Sequence, residues 1–338
     1  MRIKYFVILL ILSLVGCKKK EVPFIDNFSD KGKVPYSVIE NLPNFIMYYP
    51  IRMLMIKNML IVADYKGNKI FTLFNLESGK SFQFGNQGHG PNDFIDGYGL
   101  APLTDTSFVV FDRMVKKVSF FRVENDTVFC YKKSNIPAIN NVFPFNDSIF
   151  VTNGNYPFDK NFGVVDLSKD TLYSCIDYPS ITKDKLSAQA KQRAYYSHIV
   201  RKPNSNRFVA FKASHHIIDV MDLTNNELKL IERRIFIHNE WKMSRNIPVP
   251  SVRGTLNRFT AMLAGSDNRI FACYKIKDED NKSQWSILTF DWDGNPQNRY
   301  DIPFIPYAFT STNDSTLYSI ALIGKEYKLV KIDMPPKD

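Results

Sequence analysis

The chain has 338 residues, with 44 Lys and Arg against 34 Asp and Glu, a formal net charge of +10 and 44% hydrophobic residues. Charged residues at 23% and aromatics at 14% exclude a disordered or collagen-like chain. Four cysteines in this length exclude a disulfide scaffold, and a single strongly apolar segment excludes a polytopic membrane protein.

Arg2 and Lys4 precede an apolar stretch, Tyr5 to Val15, interrupted only by Ser13. That is the length of a signal-peptide core and well short of the ~20 residues that span a bilayer. Leu14-Val15-Gly16-Cys17 follows at once: an aliphatic residue, two slim ones and a thiol. The segment resembles the lipobox of bacterial lipoproteins. That resemblance implies a signal peptide over residues 1–16, cleavage before Cys17, and acylation of the Cys17 thiol. Several acyl chains on one residue anchor durably, since each buried CH₂ contributes ~0.8 kcal/mol and one chain alone is marginal. Cleavage removes two basic residues and no acidic one, so the charge falls from +10 to +8. Residue 18 is Lys, not the Asp of the inner-membrane retention signal, and no acidic run follows Cys17. The expected address is the bacterial outer membrane, lipid-anchored and facing the periplasm. Lys18, Lys19 and Lys20 read as the start of a solvated tether, with anionic headgroups as an alternative contact. Residues 17–32 carry Pro23 and Gly32 and read as a lipidated N-terminus and linker. A single domain is expected over 33–338.

Beyond residue 33 the apolar signal consists of short runs rich in Ile, Val, Phe, Tyr and Thr, bounded by Asn, Asp and Gly, which predicts strands. The runs recur. Leu60-Ile61-Val62-Ala63-Asp64 matches Phe108-Val109-Val110-Phe111-Asp112, and Lys69 or Lys117 stands five residues after each Asp and opens a second run. Weaker copies begin at Ile149, Phe208, Ile270 and Leu317. The intervals are 48, 41, 59, 62 and 47 residues, three of them near the ~40–50 of a four-stranded propeller blade. The two long intervals need insertions. Thr182 to Val200 places Leu186, Ala190, Ala194 and Ile199 on one helical face, whereas His238 to Phe259, with Pro248, Pro250 and Gly254, reads mainly as loop. The expected fold is all-β, a six-bladed β-propeller with a short helical insertion near 182–200. The ring must close, which predicts a strand within Pro35 to Tyr49 in the sheet that holds Leu317–Ile323 and Tyr327–Ile332.

The segment Leu60 to Phe94 resembles an NHL-type repeat: a strand ending in Asp, a Gly-Asn turn, a second strand, then Gly85-Asn86-Gln87-Gly88-His89-Gly90-Pro91-Asn92-Asp93-Phe94. With the lipobox, the midway helical insertion and the late Asp293-Gly294 turn, residues 34–333 resemble the six-bladed, TolB-like propeller lipoproteins. The resemblance implies a fold and an address and carries little chemistry with it.

The glycine-rich loop lacks the Gly-Lys-Ser/Thr of a phosphate cradle and opens no helix. Gly85, Gly88, Gly90, Pro91 and Phe94 read as a structural motif, a blade-to-blade link with positive φ at its glycines and Phe94 as its apolar plug. Asp64, Asp112 and Asn153 share an offset; they cap the adjoining turns or, alternatively, ring a channel and hold a cation. The five histidines, His89, His198, His215, His216 and His238, show no zinc spacing, and His215-His216 is expected in a hairpin turn. Asp278-Glu279-Asp280 reads as a solvated turn. No G-x-S-x-G marks a serine nucleophile. Cys130, Cys175 and Cys273 lie in apolar runs and are expected to be buried and inert, with one disulfide as the alternative. Lys183, Lys185, Lys191, Arg193, Arg201 and Lys202 form the densest basic stretch and are candidate contacts for an acidic glycan, lipid headgroup or acidic partner. Nucleic acid is not an expected partner, because the signal peptide sends the chain away from it. The leading expectation is a non-enzymatic envelope binding or scaffold module that presents a face or central funnel to a protein, peptide or glycan. It needs no cofactor, metal or catalytic residue. The alternative is a Ca²⁺- or Zn²⁺-dependent lactonase- or lyase-like enzyme.

Overall fold

The structure, a computed structural model, describes residues 23–336 except 41, 43–45, 68, 96–98, 138–140, 156–158, 181–185, 214, 238–240, 245–246, 251–257 and 278–281. A 3-10 turn (Phe24–Asn27) leads into β1 (Ser29–Lys33) and β2 (Tyr36–Ile39). Blade I holds β3 (Pro50–Ile56), β4 (Met59–Asp64), β5 (Lys69–Asn75) and β6 (Ser81–Asn86). Blade II holds β7 (Gly99–Pro102), β8 (Ser107–Asp112), β9 (Lys117–Glu124) and β10 (Thr127–Asn135). Blade III holds β11 (Asn141–Pro144), β12 (Ile149–Asn155), β13 (Lys160–Asp166) and β14 (Thr171–Ile176). The helix α1 (Ala188–Ala194) precedes blade IV, which holds β15 (Ser197–Arg201), β16 (Arg207–Lys212), β17 (His216–Thr224) and β18 (Glu227–Ile237). A separate hairpin, β19 (Trp241–Ser244) with β20 (Ile247–Pro250), comes next. Blade V holds β21 (Arg258–Gly265), β22 (Ile270–Lys277), β23 (Ser283–Phe290) and β24 (Pro296–Ile302). Blade VI holds β25 (Ile305–Ser311), β26 (Thr316–Ile323) and β27 (Glu326–Asp333).

All six repeat starts seen in the sequence fall in the second strand of a blade: β4, β8, β12, β16, β22 and β26. The reason is burial. A second strand is covered on both flanks by the neighbouring blades, so it reads as an unbroken apolar run rather than an alternating one. β8 is buried at every position, whereas the outer strand β10 is exposed or half-buried throughout. The core is correspondingly divided into one cluster per seam, I–II, II–III, III–IV, IV–V, V–VI and VI–I.

The ring closes as the sequence requires. β2 pairs antiparallel with β27, Tyr36 opposite Ile332 and Ile39 opposite Leu329, and so becomes the fourth strand of blade VI. The closing strand is shorter than the 35–49 window. The linker reading of 17–32 is corrected for the described residues. Phe24 and Phe28 are buried in the IV–V seam, and β1 runs parallel to β24 as a fifth strand of blade V. The apolar spacing Phe24/Phe28 is the signal that Pro23 and Gly32 obscured. The helical insertion is present as α1, inside the expected range. Ser187 caps α1 by accepting from the Ala190 N–H, Ala190 and Ala194 are its buried side, and Ile199 belongs to β15. The second insertion, read mainly as loop, contains the β19–β20 hairpin.

Phe24 is stacked on His216 at 4.3 Å, and His216 Nε2 shares a 2.6 Å hydrogen bond with the Tyr274 hydroxyl. Burial lowers the His216 pKa from 6.5 to about 4. Between those values the unfolded chain binds a proton here and the folded chain does not, so the contribution is complete above pH 6.5 and is lost as pH falls toward 4. The expected cost by pH 4 is about 3 kcal/mol. Urea unfolding midpoints from pH 7 to pH 4 should therefore fall more steeply for the parent than for His216→Gln. Parallel slopes would refute the assignment.

Candidate functional site

Within a blade the first and third strands run one way and the second and fourth the other. The turns between strands two and three and the links between blades therefore share one face, the upper face. The remaining turns share the lower face. The first strands β3, β7, β11, β15, β21 and β25 line the central channel. Their side chains nearly fill it. A cavity of about 110 Å³ remains, ringed by Met53, Leu100, Val142, Phe143, Ile199, Met262, Leu263 and Phe309 among others, with Arg52, Asn141, Tyr196 and His198 as its polar members. Asn141 hydrogen-bonds the Tyr196 hydroxyl, and the Tyr196 and His198 rings pack edge to face at 5.2 Å. Ligand pockets occupy ~300–1,000 Å³, and the space left in this channel is well below that range.

Asp64 and Asp112 are caps. The Asp64 carboxylate accepts from the N–H groups of Tyr48 (2.6 Å), Tyr49 (2.8 Å) and Lys66 (3.1 Å), and Asp112 accepts from Ile95 (2.7 Å) and Met114 (3.0 Å). Each ties a turn to the link entering its own blade. Asn153 instead donates to the Ser197 carbonyl of blade IV at 2.5 Å. Among the described residues no three His, Cys, Asp or Glu side chains converge as a metal site.

The glycine-rich loop is the link from blade I to blade II. Phe94 is buried against Phe71, with ring centroids 5.4 Å apart, as the plug reading requires. Only Gly85 has positive φ, at +75°; at Gly88 and Gly90 a Cβ would stand 2.6 Å from the Asp93 carboxylate. The atom approached is the end of a side chain that can turn aside, so neither backbone conformation nor fixed backbone contact demands glycine at those two positions. The Pro91 carbonyl accepts from two ammonium groups, Lys117 at 2.8 Å and Lys133 at 3.1 Å, and Lys69 hydrogen-bonds Asn86. Nearby on the upper face, over blades VI, I and II, stand exposed Ile46, Tyr48, Tyr49, Tyr65, Met114 and Val115. Ile46 and Met114 keep 64% and 62% of their surface in solvent.

The basic stretch does not form one patch. Lys183 and Lys185 lie outside the described residues. Lys191 on α1 pairs with Asp159 at 2.9 Å, and Arg193 is exposed on the same helix. β15 then crosses from the upper to the lower face, so Arg201 and Lys202 lie at the opposite end. Arg201 faces inward: its guanidinium donates to the Phe145 (2.6 Å) and Ser205 (2.9 Å) carbonyls and sits 4.8 Å from the centre of the Phe145 ring. It staples blades III and IV.

His215 and His216 are buried at the β16–β17 connection, and His89 is exposed in the glycine-rich loop. Cys273 is buried, and desolvation raises its thiol to about 12. Cys175 is half-buried. Cys130 is exposed on β10, because that outer strand has only one covered flank, so the buried reading fails there. Cys17, His238 and Asp278-Glu279-Asp280 lie outside the described residues.

Two features escaped the sequence reading. The first is a buried ionic cluster in the III–IV seam. The Lys212 ammonium lies 3.0 Å from Asp219 Oδ2, 2.9 Å from Ser197 Oγ and 4.4 Å from the centre of the Phe162 ring. The Arg233 guanidinium meets Asp219 Oδ1 at 2.6 Å. Lys212 and Asp219 are fully buried, and desolvation lowers the Lys212 pKa to about 8. Asp219 inside the apolar run of β17 and a lysine ending that of β16 were the available signal. The second is a groove of about 1040 Å³ on the lower face between blades II and III. Its walls are the turns around Thr104–Thr106, Glu124–Asn125 and Asn146–Asp147, brought together only by the ring.

A family model described as "TolB-like 6-blade propeller-like" matches residues 27–310. The chain belongs to this TolB-like family. Among solved structures, a putative exported protein from Bacteroides fragilis aligns with TM-score 0.56 at 11% identity, over 91% of this chain and all of its own. The Cps50 (Swd1) β-propeller domain of Myceliophteria thermophila aligns with TM-score 0.48 at 12% identity, over 89% of this chain and 99% of its own. A streptogramin B lyase aligns with TM-score 0.49 at 10% identity, over 89% of this chain and 98% of its own. No curated protein matches the sequence. At 11% identity the likeness to the exported protein is one of fold, and this TolB-like propeller has six blades.

Proposed function

We propose that the chain is a lipid-anchored cell-envelope binding scaffold, held at the bacterial outer membrane by acylated Cys17 and engaging its partner through a face of the ring. The observation that carries this is the nearly filled channel. Side chains from all six first strands leave about 110 Å³, so a partner of any size meets the outside of the ring and not a funnel. The upper face over blades VI, I and II offers what a protein interface uses, exposed Tyr, Met and Ile beside lysines. Anchoring through Cys17 restricts the geometry. Phe24 is docked seven residues later, so the IV–V seam lies within about 25 Å of the bilayer.

The test is mild crosslinking of the anchored protein in its native envelope. The parent is compared with a Tyr48→Ser, Tyr49→Ser, Met114→Ser variant, and Cys17 is weighed by mass spectrometry. A discrete linked species that the variant loses, with an acylated Cys17, is expected. A bare Cys17, or linking indifferent to the variant, overturns the reading. So does stoichiometric Ca²⁺ or Zn²⁺ in the purified protein, which would favour the metalloenzyme alternative.

A further inference from the structure

The lower-face groove between blades II and III has the composition of a recognition site, and nothing above uses it. Its floor carries Tyr131, which keeps 40% of its surface exposed. The ring is held from several directions. The Arg122 guanidinium lies over it at 5.2 Å, and the Phe120 ring lies 6.1 Å away. In the same lining Ser107 is buried and bonded to Thr104 Oγ1 at 2.6 Å. A fixed, half-exposed aromatic ring is a platform, because it offers a flat apolar face with little rotamer freedom left to lose.

The rim around that ring holds unspent hydrogen-bonding capacity. Asp105 and Asp147 are exposed, and among the described residues their carboxylates accept no hydrogen bond and make no ion pair. The Asn125 carboxamide is likewise unengaged, on a residue at φ 46° that aims a tight turn into the groove. Thr104, Thr106 and Asn146 add hydroxyl and amide groups to the same walls. Carboxylates accept paired hydroxyls, and carboxamides both donate and accept. At about 1040 Å³ the groove reaches the top of the ~300–1,000 Å³ range of small-ligand sites.

We propose that this groove binds a neutral or amino carbohydrate chain, a sugar ring stacking on Tyr131 while its hydroxyls bond Asp105, Asp147 and Asn125. Three observations set the class. The walls are mostly turns that present side chains, and the one strand edge there, β10, is broken by a bulge at Tyr131, which blunts it as a template for an extending peptide. The lining carries Asp105, Glu124 and Asp147 against Lys57 and Arg122, which disfavours anionic chains. An aromatic platform beside free acceptors matches alternating C–H and O–H surfaces, which a hydrocarbon or simple ion lacks. The inference deepens the binding reading and rests on it, but on a different face.

The test uses the purified full-length chain in calorimetric titrations with chitotetraose, cellotetraose, maltotetraose, tetragalacturonate and an octalysine peptide. At least one of the first three should bind and the uronate should not. Tyr131→Ala should weaken that binding about tenfold or more, which is 1.4 kcal/mol, and Tyr131→Phe should largely keep it. Asp147→Asn should weaken it by a smaller factor, and Tyr49→Ser on the upper face should leave it unchanged. Absence of binding by every sugar overturns the proposal. Binding indifferent to Tyr131→Ala, or binding of the uronate or octalysine alone, does so too. Upper-face crosslinks that persist in the Tyr131→Ala variant separate failure of this inference from failure of the scaffold reading.

Discussion

A chain beginning at residue 41 is expected to lose its cooperative thermal unfolding transition and to self-associate. The deletion removes β2 from blade VI and leaves the edge of β27 unpaired, which invites pairing with another chain. It also takes Phe24 and Phe28 out of the IV–V seam, where truncating one such ring to alanine costs ~3–5 kcal/mol. Those losses together match the ~5–15 kcal/mol of a whole domain. Circular dichroism melting with size-exclusion chromatography provides the check, and a truncated chain melting within a few degrees of the parent as a monomer would sink it. The converse change should stabilise. Ser37 stands opposite Lys331 across the closing ladder. Cysteines at both positions meet the Cα spacing of a disulfide, and locking the ring there is expected to add about 2–4 kcal/mol under oxidising conditions.

Asp219→Ala is the point substitution expected to do most harm, about 3–5 kcal/mol. In the parent one carboxylate serves two cations. Lys212 has its ammonium against Asp219, Ser197 and the Phe162 ring, and Arg233 bonds the other carboxylate oxygen. Removing the acid leaves Lys212 buried with no opposite charge and Arg233 largely so. The cluster already carries one excess positive charge, in keeping with the lowered Lys212 pKa. A triple replacement, Lys212→Met with Asp219→Leu and Arg233→Met, should recover most of the loss, because desolvating the charges costs as much as their attraction returns. Denaturant midpoints for the single and triple variants decide the matter. A single variant within 1 kcal/mol of the parent would mean that the seam is wetter than the structure shows.

The sequence made the ring legible because propeller burial is uneven. Leu60–Asp64 and Phe108–Asp112 have both flanks covered, so their apolar runs stand out at blade spacing. First strands such as β7 and β11 span only four residues and face a narrow channel, and outer strands such as β10 are mostly wet, so neither leaves a periodic signature. The Asp64 and Asp112 caps were readable because capping is local. The lower-face groove was not, since Asp105, Tyr131 and Asp147 come from three separate strand connections and edges. The basic stretch failed for the opposite reason. Lys191 and Arg201 are close in sequence, but β15 carries the second away from the first.

The β2–β27 pairing also orders assembly in time. Its partners are separated by roughly 300 residues, a contact of the kind that slows folding most. Five seams can zip up as successive blades emerge from the ribosome. The sixth cannot, so Leu60, Val62 and Phe74 on the flank of blade I stay uncovered until the last strands arrive. An incomplete chain is therefore an open horseshoe with one sticky end, exposed to aggregation until its last strands cover it.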